Sequence, residues 1–227
     1  MDSDDLALEW LKTGDGSSTL RVPDMDETYH SQHGAVQEAL HVFVDKGFLA
    51  CTDSPEPIRI LEVGFGTGLN AWLTMHRAEM EQKPTVYHSI EKFPLQQEWI
   101  EKMQFPVSYN TAPYPSLHAL HNPQALEERV ITPHFRFRLF PVDVKQFEAP
   151  ELYDLVYFDA FGPRAQPDMW EVSVFEGMCR ALKPGGKLVT YCAQGQFRRN
   201  LKAAGFHWER LDGPPGKREM TMAVKPM

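Results

Sequence analysis

The chain has 227 residues, of which 42% are hydrophobic and 24% charged, an ordinary composition for one α/β domain with or without a small appendage. No apolar run approaches the roughly 20 residues that span a bilayer, and the acidic N-terminus lacks a signal-peptide pattern, so we expect a cytoplasmic protein without membrane association. The net charge of −8 argues against general nucleic-acid binding, but residues 180–227 carry ten Lys/Arg and three Asp/Glu, and such a basic end can hold a polyanion locally.

Residues 1–50 are predicted to form an extension that packs on the main domain, residues 51–227. A glycine turn precedes a short strand at 18–22. A helix capped by Ser31 is expected to follow, because the next apolar residues recur with helical spacing. They are Val36, Leu40, Phe43 and Val44.

From residue 57 onward, buried strands alternate with helices. Strands are predicted at 58–64, 85–91, 134–143, 153–160 and 187–193, with a closing pair at 207–211 and 218–226. Helices are predicted from about residue 69 and at 94–103, 168–182 and 195–206, and the proline-rich stretch 110–123 is predicted to be loop and short helix. This alternation is typical of an α/β fold with a mostly parallel, doubly wound sheet, in which ligands bind at the carboxyl ends of the strands.

The segment LEVGFGTGLN joins a strand to a helix, where a nucleotide-binding loop belongs. Its glycines are Gly64, Gly66 and Gly68. A dinucleotide fingerprint requires its last glycine one position later, at Leu69, and the Gly-Lys-Ser/Thr ending of a P-loop is also missing. The loop therefore departs from the pattern of NAD-dependent oxidoreductases.

Acidic residues stand at the ends of the first three predicted strands. Glu62 precedes the first glycine, where a carboxylate repels a pyrophosphate but can hold an ammonium. This fits S-adenosylmethionine, which carries an amino group and a sulfonium and no phosphate. Glu91 can accept both ribose hydroxyls, and Asp143 can hold the adenine amino group. No metal is expected, because the three cysteines and nine histidines show no metal-ligand spacing.

These features resemble the class I S-adenosylmethionine-dependent methyltransferases. The segment ALKPGGKLVTY (181–191) adds to the likeness, since it matches the Pro-Gly-Gly turn that often precedes the fifth strand of those enzymes. The resemblance implies a Rossmann-like, mostly parallel sheet of seven strands, the last antiparallel, with S-adenosylmethionine as the cofactor.

A closer resemblance is to the tRNA 5-aminomethyl-2-thiouridine methyltransferases of the MnmC/MnmD type. It rests on five segments: TYHSQHGAVQEALHVF, EVGFGTGLN, EKFPL, FDAFGPRAQPDMW and GPPGKREM. It implies methylation of the primary amine of a modified wobble uridine, with tRNA as the partner. It also implies the stand-alone methyltransferase form, which lacks the FAD oxidoreductase domain and relies on a separate enzyme for the aminomethyl precursor.

The same resemblance assigns roles to single residues. The family usually has Asp-Gly-Phe-Ala-Pro where residues 159–163 here read Asp-Ala-Phe-Gly-Pro, so the acid, the ring and the proline are kept. Asp159 is the implied catalytic residue, and with Asn70 it joins the expected cofactor contacts. The implied substrate-binding residues, in the acceptor pocket or on tRNA phosphates, are Tyr29, Phe161, Pro163, Arg164, Lys217 and Arg218.

A carboxylate at Asp159 can hold the acceptor amine in line with the methyl group. The amine must also lose a proton, because primary amines such as that of lysine are protonated at neutral pH. With an ordinary pKa of about 3.9, Asp159 is a poor base, so the sequence favours positioning as its larger contribution.

Three alternatives remain open from the sequence. An aminopropyltransferase of the spermidine-synthase kind shares the fold, the glycine loop and the acid, but it leaves the basic C-terminal end without a purpose. An NAD-dependent oxidoreductase is disfavoured by Leu69. A non-catalytic binding protein is disfavoured by the retained Asp159 turn.

Overall fold

A computed structural model describes residues 7–53, 56–105, 116–121 and 127–227. Of the predicted loop and short helix at 110–123, residues 110–115 and 122–123 lie outside this description, and Leu117–Ala119 form one 3-10 turn. Among the described residues, no helix combines the length and apolar character needed to cross a membrane.

Two sheets and five α-helices organise the described chain. The strands are β1 (Glu9–Lys12), β2 (Ser18–Val22), β3 (Glu27–Thr28), β4 (Ile58–Val63), β5 (Thr85–Ile90), β6 (Arg129–Thr132), β7 (Phe135–Phe140), β8 (Tyr153–Phe158), β9 (Leu182–Thr190), β10 (His207–Asp212) and β11 (Glu219–Val224). The helices are α1 (Ala35–Ala39), α2 (Leu69–Met80), α3 (Gln97–Glu101), α4 (Val172–Ala181) and α5 (Gly195–Ala203).

The large sheet has eight strands in the order β10-β11-β9-β8-β4-β5-β7-β6. Its centre, β9-β8-β4-β5-β7, is parallel, and the last strand, β11, is antiparallel to β9 as expected. The predicted number of seven strands is wrong by one, because β6 adds an antiparallel edge to β7 with a register shift. The sequence of β6, Arg-Val-Ile-Thr, does not alternate apolar and polar residues, so it lacks the pattern of a half-buried strand.

Both faces of this sheet are covered, as a doubly wound fold requires. One face packs against α2 and the N-terminal segments, where the rings of Phe43 and Tyr157 lie 5.1 Å apart. The other face packs against α4 and α5 through a cluster that includes Phe158, Trp170 and Phe175. Residues 1–50 and the main domain thus share one core, and a boundary at residue 50 stays a prediction.

The cap of α1 differs from the prediction. The helix begins at Ala35, so Ser31 does not cap it. Instead, the Asp15 carboxylate accepts from the backbone N–H groups of Val36 (3.0 Å) and Gln37 (3.4 Å). Burial alone raises the pKa of Asp15, but hydrogen bonds, led by those from Thr13 and Ser17, lower it overall. The small N-terminal sheet therefore anchors α1, a long-range contact that the local sequence pattern does not reveal.

Candidate active site

The carboxyl ends of neighbouring strands meet at one edge of the large sheet. The backbone N–H of Gly64 donates to the carbonyl of Ile90 (3.0 Å), and that of Asp159 donates to the carbonyl of Val63 (2.9 Å). Glu91 continues the row, because its N–H donates to the carbonyl of the last residue of β7 (3.0 Å). At this edge lies a cavity of about 370 Å³, within the range of small-molecule sites.

The loop between β4 and α2 needs its glycines. Gly64, Gly66 and Gly68 have φ of 91°, 51° and 78°, a left-handed region in which other residues are strained. A Cβ on Gly64 would lie 2.6 Å from the carbonyl oxygen of Asp159, and one on Gly66 would lie 3.0 Å from the ring of Tyr29. The loop can therefore approach the end of β8 closely and border the cavity with backbone.

Glu91 lies in the cavity wall beside this loop. One carboxylate oxygen accepts from the N–H of Gly66 (3.0 Å) and the other from the N–H of Phe93 (2.9 Å). Burial raises the pKa of Glu91, while these hydrogen bonds favour the charged form. Because each carboxylate oxygen has a second lone pair, Glu91 can still accept two hydroxyl groups.

Two other expected cofactor residues are placed differently from expectation. Asp143 lines the cavity, but its carboxylate already accepts from Lys92 Nζ (3.0 Å) and from the N–H of Lys145 (2.9 Å). Glu62 is fully buried and does not line the cavity, and its carboxylate accepts from Ser89 Oγ (2.7 Å). Burial raises the pKa of Glu62 to about 8. The expected contact of Glu62 with a ligand ammonium is therefore not what the structure shows.

Asp159 stands half-buried between the glycine loop and the opposite end of the cavity. Its Oδ2 accepts from Asn70 Nδ2 (2.8 Å), which fixes the orientation of the carboxylate. Burial raises the pKa of Asp159 to about 7, although the Asn70 hydrogen bond favours the charged form. The expectation of an ordinary, weakly basic carboxylate is therefore wrong, since a group with this pKa can take a proton at neutral pH.

The far end of the cavity combines charges and aromatic rings. Lys217 Nζ lies 2.7 Å from Glu38 Oε2 and 4.2 Å from the ring centroid of Tyr191. The rings of Tyr29 and Phe161 meet edge to face, with centroids 5.1 Å apart. All five residues line the cavity, so Lys217 points inward rather than outward to a phosphate as the sequence suggested.

Several expected residues lie outside the cavity lining. Arg164 is exposed, and its Nη2 donates to the carbonyl of Asp26 (2.9 Å) and to Glu27 Oε1 (3.2 Å), so its guanidinium is tied to the N-terminal segment. Arg218 is exposed next to the inward-facing Lys217. The full set outside the lining is Glu62, Gly68, Pro163, Arg164 and Arg218.

The sequence reasoning did not single out Tyr191, which closes the cavity from the end of β9. Its hydroxyl donates to the carbonyl of Ala160 (2.8 Å) and so joins two strand ends. Its place at the carboxyl end of a predicted strand was a usable signal. His30, another lining residue, is hydrogen-bonded to Thr67 Oγ1 (2.8 Å), and burial lowers its pKa to about 4, so it is neutral.

The charge of the cavity favours a cationic ligand. Its lining contains six carboxylic acids and two lysines. Both lysines are paired with lining acids, Lys92 with Asp143 and Lys217 with Glu38. Glu27 and Asp168 are paired with Arg164 and Lys145 outside the lining, so Glu91 and Asp159 are the lining acids without a salt bridge to the described residues. Two such acids favour a sulfonium or an ammonium over a pyrophosphate. Together with the backbone cradle and the free lone pairs of Glu91, this cavity fits S-adenosylmethionine.

Comparison with known proteins agrees with this fit. A family model described as S-adenosyl-L-methionine-dependent methyltransferase matches residues 116–226. The bifunctional protein MnmC of Cupriavidus necator, named for tRNA 5-methylaminomethyl-2-thiouridine biosynthesis, is 33% identical over 216 residues, which is 88% of this chain and 32% of that protein. The crystal structure of MNMC2 from Aquifex aeolicus has a TM-score of 0.78 at 27% identity and covers 99% of this chain and 73% of that one.

These likenesses are consistent with a member of the MnmC methyltransferase family. The cofactor is accordingly S-adenosylmethionine. The chain spans about a third of the length of the curated MnmC relatives that it matches. Spermidine synthase from Thermotoga maritima shares the fold alone, with a TM-score of 0.59 at 12% identity over 99% of this chain and 70% of that one. The aminopropyltransferase alternative thus has no support beyond the shared fold.

Proposed function

We propose that this MnmC-type methyltransferase transfers a methyl group from S-adenosylmethionine to the primary amine of a 5-aminomethyl-(2-thio)uridine at the tRNA wobble position. The observation that carries the proposal is the place of Asp159. Its carboxylate lies between the glycine loop on one side and a cluster of carboxylates and aromatic rings on the other. The name of the Cupriavidus necator relative, which specifies 5-methylaminomethyl-2-thiouridine in tRNA, supports the choice of acceptor.

Asp159 acts on the proton of the acceptor amine. An aminomethyl group is protonated at neutral pH, as lysine is, and nitrogen attacks only with a free lone pair. Burial raises the pKa of Asp159 to about 7. Asp159 can therefore accept this proton when the amine binds beside it. Asn70 holds the carboxylate in one orientation. Bound S-adenosylmethionine supplies the methyl group as an electrophile on a sulfonium.

Orientation is the second contribution of the site. The edge-to-face pair of Tyr29 and Phe161 lines the acceptor side of the cavity. A pyrimidine ring can pack against the face of either aromatic ring. Holding the nitrogen in line with the methyl group can contribute several kcal/mol, up to about 7–11 in favourable model reactions.

The cofactor side follows from the loop and the strand ends. The backbone at Gly64 and Gly66 would hold the methionine portion of the cofactor, and Glu91 would accept the ribose hydroxyls through its remaining lone pairs. Asp143, a lining residue whose carboxylate already binds Lys92, would hold the adenine amino group. The partner is tRNA, and a separate enzyme supplies the aminomethyl precursor in the cytoplasm.

Label transfer tests this function. The protein is incubated with methyl-labelled S-adenosylmethionine and tRNA bearing 5-aminomethyl wobble uridine, with tRNA lacking the aminomethyl group as the control. Label is expected only in the amine-bearing tRNA. A parallel reaction with decarboxylated S-adenosylmethionine and putrescine is expected to give no spermidine. Label in both tRNAs, or in neither, contradicts the proposal.

A further inference from the structure

In the ion pair at the far end of the cavity, Lys217 carries the same chemical group as the proposed acceptor. The Lys217 side chain ends in a primary alkylammonium, as a protonated aminomethyl group does. Its Nζ is held by Glu38 Oε2 at 2.7 Å and lies 4.2 Å from the ring centroid of Tyr191. A carboxylate and an aromatic face are the two groups that bind such a cation best.

We propose that Glu38 and Tyr191, beside Asp159, form an ammonium subsite that Lys217 fills in the free protein and that the acceptor amine takes over by displacing Lys217. This inference rests on the proposed function for the identity of the acceptor. Glu38 is then a binding residue for the acceptor, and Lys217 is a resident occupant that competes with it.

The side chains of Glu38 and Lys217 differ in how strongly the surrounding structure restrains them. Glu38 projects from α1, and 15% of its side chain is exposed. Lys217 lies in the turn closed by the bond from its N–H to the carbonyl of Pro214 (2.9 Å), and 33% of its side chain is exposed. The lysine stem is flexible and has a path to water, so the cation can leave while the carboxylate stays.

Electrostatics favours exchange over shared occupancy. The negative charge of Glu38 raises the pKa of Asp159, and the positive charge of Lys217 lowers it. The three groups therefore interact electrostatically. A second ammonium placed beside Lys217 would meet like-charge repulsion. When the acceptor ammonium replaces Lys217, the charge is conserved, and one N–H proton of the acceptor then passes to the Asp159 carboxylate.

The test uses benzylammonium, a primary alkylammonium on an aromatic ring, titrated calorimetrically in the presence of S-adenosylhomocysteine. Lys217→Met is expected to bind it about threefold or more tightly than the wild-type protein, because the competitor is gone. Glu38→Gln is expected to bind roughly tenfold more weakly. Lys183→Met, which breaks an ion pair with Asp154 away from the cavity, serves as the matched control and is expected to bind within about twofold of wild type.

A second measurement needs no variant. In the wild-type protein, the side-chain ammonium resonance of Lys217 is expected to move toward its solvent-exposed position as benzylammonium is added, while that of Lys183 stays. An unmoved Lys217 resonance, unchanged or weaker binding by Lys217→Met, or unchanged binding by Glu38→Gln overturns the subsite. A different result would refute the proposed function. If the protein shows this binding pattern but methylates no tRNA, the proposed acceptor is wrong and the ammonium subsite still stands.

Discussion

At the scale of single residues, burial turns an ordinary carboxylate into a group suited to proton transfer. Asp159 is half-buried at a strand end, and its pKa rises to about 7 for that reason. Its identity and strand-end position could be predicted from the sequence. Its pKa could not, because that value depends on how closely Asn70, Glu38 and Lys217 come to it in three dimensions.

Asp159→Asn tests this role, since the amide keeps the shape but cannot take the proton. Methyl transfer is expected to fall about 10²–10⁴-fold, the usual contribution of acid–base catalysis. Calorimetric binding of S-adenosylhomocysteine is expected to persist, because Glu91 and the loop backbone remain. Near-normal turnover in this variant would remove Asp159 from the chemistry.

The pH dependence of activity gives a second check. Asp159 must be unprotonated to accept a proton, so kcat/KM is expected to decline as pH falls through about 7. Glu38→Gln removes a negative neighbour that raises the pKa of Asp159, so this acid limb is expected to move to lower pH. A pH–rate profile of both proteins measures the shift, and a limb that moves to higher pH would contradict the assignment.

At the scale of elements, the glycine loop is the local structure that places the site. Gly64→Ala brings a Cβ within 2.6 Å of the end of β8 at a φ of 91°. It is expected to cost on the order of 1–3 kcal/mol in unfolding free energy and to weaken cofactor binding. Gly177→Ala within α4 is the control, expected to stabilise by about 0.5–1 kcal/mol. Equal effects of the two substitutions in denaturant titrations would rule out this account of the loop.

The cap of α1 links the N-terminal sheet to the acceptor end of the cavity. Asp15→Ala is expected to lower the unfolding free energy by about 1 kcal/mol, and to weaken benzylammonium binding because α1 carries Glu38. Ser31→Ala, at the cap that the sequence predicted, is expected to change stability by no more than about 0.5 kcal/mol. Denaturant titrations compare the two, and a larger loss for Ser31→Ala would reverse the assignment.

The elements that the sequence predicts well are those with a clear local pattern. The strands β4, β5 and β8 follow from short segments rich in β-branched and aromatic residues. The helix α2 follows from the glycine turn that precedes it. The edge strand β6 reads Arg-Val-Ile-Thr, which does not alternate apolar and polar residues. The expected strand at 134–143 ends at Phe140, because the pattern does not mark where backbone pairing stops. The Glu38–Lys217 pair joins segments far apart in the chain, so no local pattern predicts it.

At the scale of the whole molecule, acidic and basic residues are concentrated in different regions. The cavity collects carboxylates, which suits a cationic donor and a cationic acceptor, whereas the region 180–227 carries the surplus of basic residues. Contacts between that region and tRNA phosphates would weaken with salt. The family, the fold and the cofactor could be predicted from the sequence, while the inward direction of Lys217 could not.

In the proposed reaction, one methyl group goes to the wobble aminomethyl nitrogen. Mass spectrometry of nucleosides from tRNA treated with the protein and S-adenosylmethionine tests it most directly. We expect 5-aminomethyl-(2-thio)uridine to disappear and a nucleoside heavier by one methyl group to appear, with the methyl group located on the aminomethyl nitrogen by fragmentation. An unchanged 5-aminomethyl nucleoside, or a methyl group found on the base, on the ribose or on another nucleoside, would contradict it.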